Sequence, residues 1–448
     1  MANDELIDEI RELIAEREEL GIRGLTDRLG PSDWADIVLR LDDDEVAVLL
    51  ESIPASEIPE ILEELDPANA AAILRLQPPE EAADLLEAID PDDATDIIAE
   101  LPSEDREQIL GAMEPDEAAE IRELSAYPPD TAGGRMTPAF VAISPDVRAD
   151  DAVVLLRRVA EEAETILYVY VIDELERLLG VLSLHNLVLT RPDTPVQDVM
   201  VSDPIRVKAD ADQETAARLL VDMNLLALPV VDDDDRLLGI ITQDDVADVI
   251  EEETTEDFER IGGSQPLDMP YRFASAGLLV RRRIGWLLFL FLAGLLTSQV
   301  LEHYSDRLRG TPALIPYIPL IIGIGGNVGS QTVTTLVRAI GVGEVRLSDV
   351  WWVLAKEMAV GLSVGFIMGL VGYIRVGFPE GFQIGIVVGV TIMLVALWSA
   401  TVAAVLPLVL ERLGVDPAVV SAPLITTLVD ATGLLIYMTI AGLVLLQL

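Results

Sequence analysis

One residue in the last hydrophobic stretch is of a type that holds cations where water is scarce. Residues 419–438 read VVSAPLITTLVDATGLLIYM, apolar enough for a bilayer, with Asp430 near the middle. A carboxylate at that depth costs about 2.5–3.5 kcal/mol on insertion scales, a cost that a wet path or a bound cation offsets. Pro423, Thr426 and Asp430 follow at spacings of three and four, so they share one helical face. A proline within the span is expected to free backbone carbonyls toward the same path. The competing reading of Asp430 is a buried acid that only joins helices. A second tract, PLIIGIGGNVGSQT at 319–332, holds four glycines in seven residues. Such density weakens a helix, exposes carbonyls, or lets helices pack closely. Gly325, Gly326 and Asn327 are expected to line the path, with Ser330, Gln331, Thr334 and Thr335 adding neutral oxygens. Glu357 either pairs with Lys356 or Arg338 or draws ions to the mouth of the path.

These residues need a membrane scaffold. Five hydrophobic runs, about 284–301, 314–340, 350–374, 383–410 and 418–446, are each long enough to span a bilayer. Arg281, Arg282 and Arg283 precede the first run directly, which marks that end as cytoplasmic. Five crossings then put everything N-terminal inside the cell and the C-terminus outside.

Charge divides the chain the same way. Residues 1–283 carry 23 basic and 69 acidic side chains, whereas 284–448 carry seven and nine. Phosphate repels so acidic a surface, so nucleic acid is excluded as a partner and divalent cations are the natural one. Only two lysines, Lys208 and Lys356, stand against 28 arginines, a balance that also suits a salt-rich cytoplasm. Zero cysteines exclude disulfides and thiolate metal sites, and two histidines, His185 and His303, argue against a zinc or copper centre. There is no GxxxxGK[ST] loop and no catalytic constellation, so the chain does not read as an enzyme. The acidic, polar N-terminus does not read as a secretory signal.

Residues 1–130 repeat. Prolines 67, 79, 91, 102 and 115 recur at about twelve-residue intervals, mostly after an acid or another proline. Proline suits the first helical turn and aspartate the N-cap, so short helices are expected to stack as a superhelix. Asp92 and Asp96 lie one turn apart and are expected either to share a cation or to face solvent. Two βαββα units follow, from 136 to about 190 and from 200 to about 250. Gly180-Val-Leu-Ser183 in the first matches Gly239-Ile-Ile-Thr242 in the second, 59 residues on. Acids crowd the second unit and its exit: Asp210, Asp212, Glu214, Asp222, Asp244, Asp245, Asp248, Glu253, Glu256 and Asp257. Like charges this dense are expected to part unless cations screen them, and magnesium, with its oxygen ligands, suits the task. Residues 271–283 read as a connecting helix.

The tandem resembles a pair of CBS domains, modules that often bind adenine nucleotides. Asp245 stands at the family's ribose-binding position in the second copy. The first copy has Asn186 there, after His185, and Tyr168 is placed to stack on a base. The whole chain resembles the MgtE family of magnesium channels. The resemblance is carried by PLIIGIGGNVGSQ at 319–331, Lys356-Glu357-Met358, Gly414-Val-Asp-Pro-Ala418 and LVDATGLLIY at 428–437. It implies a multidomain membrane protein: an α-superhelical domain at 1–130, an α+β CBS pair at 131–195 and 196–253, a long connecting helix at 254–283, and an all-α, five-span membrane domain at 284–448. It implies a homodimer in the plasma membrane, with the pore at the two-fold axis, so that a hydrated divalent ion meets two copies of Asp430. It also implies a magnesium sensor that closes the pore. The matching sensor positions are Asp212, Glu214, Asp245, Asp248, Glu253, Glu256 and Asp257, with Asp416 as a membrane-side partner, and Asn224 where a carboxylate is expected. Magnesium is thus both cargo and regulator, and ATP at the CBS pair is a further implication. Two rivals remain: an exchanger driven by a proton or sodium gradient, and an adenylate-sensing scaffold indifferent to loss of Asp430.

Overall fold

The computed structural model describes residues 4–445 apart from 17, 18, 27, 161, 162, 268–270, 272 and 273. The chain divides into two compact units, Met1–Glu251 and Glu252–Leu448.

The first unit opens with ten helices: α1 (Asp4–Glu16), α2 (Glu19–Thr26), α3 (Pro31–Val38), α4 (Asp43–Ser52), α5 (Ile58–Glu63), α6 (Pro67–Leu74), α7 (Pro79–Leu86), α8 (Pro91–Glu100), α9 (Ser103–Ala112) and α10 (Pro115–Leu124). The prolines sit at the first helical position, where the missing amide leaves no bond unmade. Asp66 caps α6 by accepting from the Asn69 amide at 3.2 Å. Helix α6 packs on α8, α7 on α9 and α8 on α10, as in a superhelical stack. Alanines at 70, 71, 82, 83 and 94 are buried and let the axes approach, while Leu74, Leu86 and Ile98 fill the space between them.

Two sheets follow. The first takes β1 (Ala142–Ile143), helix α11 (Ala149–Val159), β2 (Tyr168–Ile172), β3 (Leu178–Ser183), helix α12 (Leu184–Leu189) and β4 (Val201–Ser202), in the order β1-β2-β3-β4. The second takes β5 (Val207–Lys208), helix α13 (Gln213–Asp222), β6 (Ala227–Val231) and β7 (Leu237–Thr242), followed by the long helix α14 (Gln243–Ile261). In each, the first strand is parallel to the second and the second antiparallel to the third. The hairpin turns are copies as well. Asp173 accepts from the amides of Leu175 and Arg177 at 2.8 and 2.9 Å, and Asp232 from those of Asp234 and Arg236 at the same distances. Those bonds hold Glu176 and Asp235 at φ of 63° and 62°.

The two copies are tied crosswise. Thr137, at the start of the first copy, exchanges backbone bonds of 2.8 and 2.9 Å with Ile240 in the second. Met136 lies on Gly239 and Met200 lies on Gly180, where an added Cβ would come within 2.8 and 2.5 Å of them. Each copy's glycine therefore seats the methionine that opens the other copy.

Among its described residues the second unit holds five helices long and apolar enough to cross a membrane: α15 (Ala276–His303), α17 (Ile318–Gly341), α18 (Val350–Glu380), α19 (Phe382–Arg412) and α20 (Ala422–Leu445), with the short α16 (Ser305–Gly310) after the first. Of the helix expected over 271–283, Tyr271 lies in a turn, 272 and 273 lie outside the described residues, and 276–283 are the first turns of α15. Helices α18 and α19 form a hairpin that turns at Gly381, at φ 97°. The pair meets backbone to backbone, since a Cβ on Gly369 would stand 2.5 Å from the Gly389 carbonyl oxygen.

Candidate functional site

Asp430 lies in the third turn of α20. Its Oδ1 is buried and has no hydrogen-bond partner among the described residues. Helix α20 packs on α17, α19 and α15. Thr426, one turn before Asp430, stands 3.3 Å from the Ser330 hydroxyl of α17. Helix α17 has two faces. Gly325, Gly326 and Gly329 are buried against Val395, Val429, Thr426 and Ile425, at distances where an added Cβ would meet them within 2.5–2.9 Å. Asn327, Gln331, Thr334, Thr335 and Arg338 form an exposed polar row on the other side. A membrane helix does not leave such a row to hydrocarbon, because each unmet polar group costs energy there.

Three expectations change here. The glycine tract is a continuous helix, and its glycines serve close packing. Gly325 and Gly326 thus sit in the packing and not on the open face, with the Gly325 carbonyl taken by the Ser399 hydroxyl at 2.6 Å. Pro423 is the second residue of α20, where proline starts a helix, so it frees no carbonyls within the span. It lies beside Gly263 of the connector. Among the described residues, Glu357 makes no ion pair with Lys356 or Arg338. Thr332 donates to it at 3.3 Å, and Lys356 lies over the Trp352 ring at 4.9 Å.

In the first unit, the start of α8 faces the start of α14. Asp92 and Asp93 lie close enough to Asp245 for charge repulsion, with Glu164 beside Asp90, Asp244 and Asp245. Burial, and then the Asp245 charge, pushes Asp92 well above the ordinary carboxylate range and lifts Asp93 to about 7. Burial and the Asp90 charge raise Glu164. Asp245 is raised by burial even though the Thr242 amide and hydroxyl donate to it at 3.0 and 2.7 Å. Asp92 Oδ1 is buried without a hydrogen-bond partner among the described residues. Asp96 adds its charge to the repulsion on Asp93 and is itself held by an arginine. Arg135 bonds Asp96 at 3.2 Å and the Gln213 side chain at 2.9 Å. Asp248 is exposed, and the same Arg135 charge acts on it.

The remaining candidate carboxylates are engaged locally. Asp212 caps α13 through the amides of Glu214 and Thr215 at 3.0 and 3.3 Å, and Glu214 pairs with Arg218. Glu253 is half-buried on α14. Glu256 and Asp416 both pair with Arg260, and Asp257 packs against Gly341 at the end of α17. Among the described residues, no three His, Asp or Glu side chains are grouped to hold a metal ion. Tyr168 lines a cleft of about 440 Å³ with Ser183, His185 and Val188, whereas Asp245 does not line it.

Comparison with known proteins gives the family. A family model described as a divalent cation transporter matches residues 318–440, one for the MgtE intracellular N domain matches 29–130, and one for the CBS domain matches 196–252. The magnesium transporter MgtE of Thermus thermophilus is 41% identical over 326 residues, covering 73% of this chain and 72% of that protein. The chain belongs to the MgtE family. The MgtE of Bacillus subtilis is 34% identical over 322 residues, covering 72% and 71%. Among solved structures, the soluble part of a magnesium transporter covers 56% of this chain and 98% of its own, at 33% identity and TM-score 0.51. The cytosolic domain of the Mg²⁺ channel MgtE in complex with ATP covers 55% and 100%, at 36% identity and TM-score 0.52. As a member of the MgtE family the chain is a multi-pass membrane protein of a magnesium transporter family, with cytosolic N-terminal domains.

Sequence reasoning missed the residues that neutralise or crowd the acids: Arg135, Arg260, Asp93 and Glu164. Asp96, the partner of Arg135, lies 39 positions from it and Asp416, a partner of Arg260, lies 156 away, beyond the reach of any local pattern.

Proposed function

We propose that this chain is a magnesium channel, gated by cytoplasmic magnesium, whose pore lies at the axis of a homodimer. The observation that carries the reading is Asp430: a carboxylate inside a membrane helix, with a buried oxygen that no described residue bonds. The polar row on α17 supports it, because a second copy across a water-filled path would give that row a wet environment. Two Asp430 carboxylates would then meet a divalent ion through its own waters, and magnesium dehydrates reluctantly. In this arrangement the C-terminus emerges outside.

Gating rests on the acidic seam between α8 and α14. Asp92 and Asp245 would hold magnesium there, with Asp93 beside them, and the orphaned Asp92 oxygen is the feature that fits a cation. Asp248, Glu253 and Asp257 are further candidates along α14. Magnesium supplies positive charge that lets these acids stay together, and without it repulsion parts them. Asp212 and Glu214 already serve a helix cap and an Arg218 pair, so cation binding at either would have to displace those contacts. A nucleotide such as ATP is proposed at the Tyr168 cleft, supported by the ATP complex of the related cytosolic domain.

Magnesium uptake into liposomes by the purified protein tests the reading. Asp430→Asn should remove most of the flux, and raising internal magnesium should close the unmodified protein. Full uptake by Asp430→Asn would remove the pore assignment. Flux that depends on a pH gradient would favour an exchanger.

A further inference from the structure

The MgtE resemblance places a cation between Asp257 of the connecting helix and Asp416 of the membrane unit. The side chains at this junction do not fit one. Asp416 Oδ1 accepts from the Ala418 amide at 2.7 Å, which caps the turn leading into α20. Its Oδ2 accepts from Arg260, whose other terminal nitrogen pairs with Glu256 one helical turn earlier. Both carboxylate oxygens of Asp416 are therefore used, and a guanidinium stands between it and the connecting helix. All three side chains are about one-third exposed, so the pair is partly shielded from salt.

Other protein groups also bond across the same junction. The Trp286 indole donates to the Ser421 hydroxyl at 3.1 Å, which ties α15 to the residue before α20. Gly263, at φ 77°, brings the connector backbone against Trp286, where a Cβ would come within 2.9 Å of the indole. The Leu267 amide donates to Glu259 at 2.7 Å, and the Gln265 amide to the Arg282 carbonyl at 3.2 Å.

We infer that Arg260 is a built-in cation that latches the end of the connecting helix to the cytoplasmic edge of the Asp430 helix, so that this junction stays docked without a divalent ion. A planar guanidinium bridges two carboxylates with directed hydrogen bonds, which a hydrated magnesium ion would have to displace at both ends. Magnesium-dependent movement then lies N-terminal to Glu256, and the latch passes it on to α20. The inference rests on the gating reading for its consequence, while docking itself is measured independently.

The absence of native cysteines allows clean labelling. Full-length protein in nanodiscs, with spin labels at Phe258→Cys and Leu413→Cys, both exposed, reports the distance between connector and membrane unit. The expected result is one narrow distribution in chelator and in magnesium alike. Arg260→Gln should broaden it in chelator, and magnesium should narrow it again, because Glu256 and Asp416 are then free to share an ion. Arg260→Lys should keep it narrow in both, which a loss of folding would not. A distribution in the unmodified protein that is narrow only with magnesium would overturn the latch. So would an Arg260→Gln distribution unchanged in chelator. Liposome uptake on the same preparations separates the two claims: absent flux with intact docking counts against the channel and not against the latch.

Discussion

At the scale of single residues, the acids of the cytosolic seam set a pH dependence with a definite sign. Burial and mutual repulsion raise Asp92, Asp93 (to about 7), Glu164 and Asp245 in the folded state. A raised carboxylate binds its proton more tightly folded than unfolded. Stability from it is therefore present at low pH and lost as pH rises between the ordinary carboxylate range and about 7. The melting temperature of the cytosolic part of the full-length protein in chelator should fall by several degrees, to order of magnitude, from pH 5 to pH 8. Saturating magnesium should flatten the curve, since a cation relieves the same repulsion. A curve that climbs with pH in chelator would reverse the assignment. Arg135 gives a companion test. Arg135→Leu leaves Asp96 without its 3.2 Å ion pair, so the magnesium concentration needed to protect α8 from proteolysis should rise severalfold. Asp430 was legible in the sequence because one charge in an apolar run stands out by composition alone. The roles of Asp96 and Asp416 were not, because their partners are chosen by tertiary approach.

Helices and strands were more legible than their contacts. Proline spacing marked α6, α7, α8 and α10 to the residue at their starts, because proline has one good position in a short helix. The doubled βαββα pattern was legible from its alternation and its glycines, but the crosswise seating of Met136 and Met200 was not, since that is a matter of packing. Local propensity misled at the glycine tract of α17, where neighbouring helices outweigh what each glycine costs alone. The α18–α19 hairpin turns this into a prediction. Gly369→Ala would push a methyl into the Gly389 carbonyl, and overpacking of this kind costs about 1–3 kcal/mol. Gly294 on α15 has open space around it, so Gly294→Ala should be within about 0.5 kcal/mol of neutral. Thermal unfolding in detergent compares the two, and equal midpoints would mean the hairpin relaxes freely.

For the whole molecule, the sequence displayed its division into an acidic half and a greasy half, and the membrane unit exposes two faces of different character. Asn327, Gln331, Thr334 and Thr335 are exposed along one side of α17, while Phe366, Ile367 and Leu370 are exposed on α18. The second set suits lipid tails and the first does not, because hydroxyls and amides find no partners in hydrocarbon. A two-fold axis running beside α17 would bring each polar row opposite its own copy, with water and cations between them. The cysteine-free chain makes this directly testable. Gln331→Cys in membranes should form a covalent dimer under a mild oxidant or a short bifunctional thiol reagent. Phe366→Cys, also exposed but on the apolar face of α18, should remain monomeric. Adding Asp430→Asn to Gln331→Cys should leave the crosslink in place while removing flux, which separates assembly from conduction. Crosslinking at Phe366 and none at Gln331 would place the axis beside α18, and Asp430 would then need a path within one subunit.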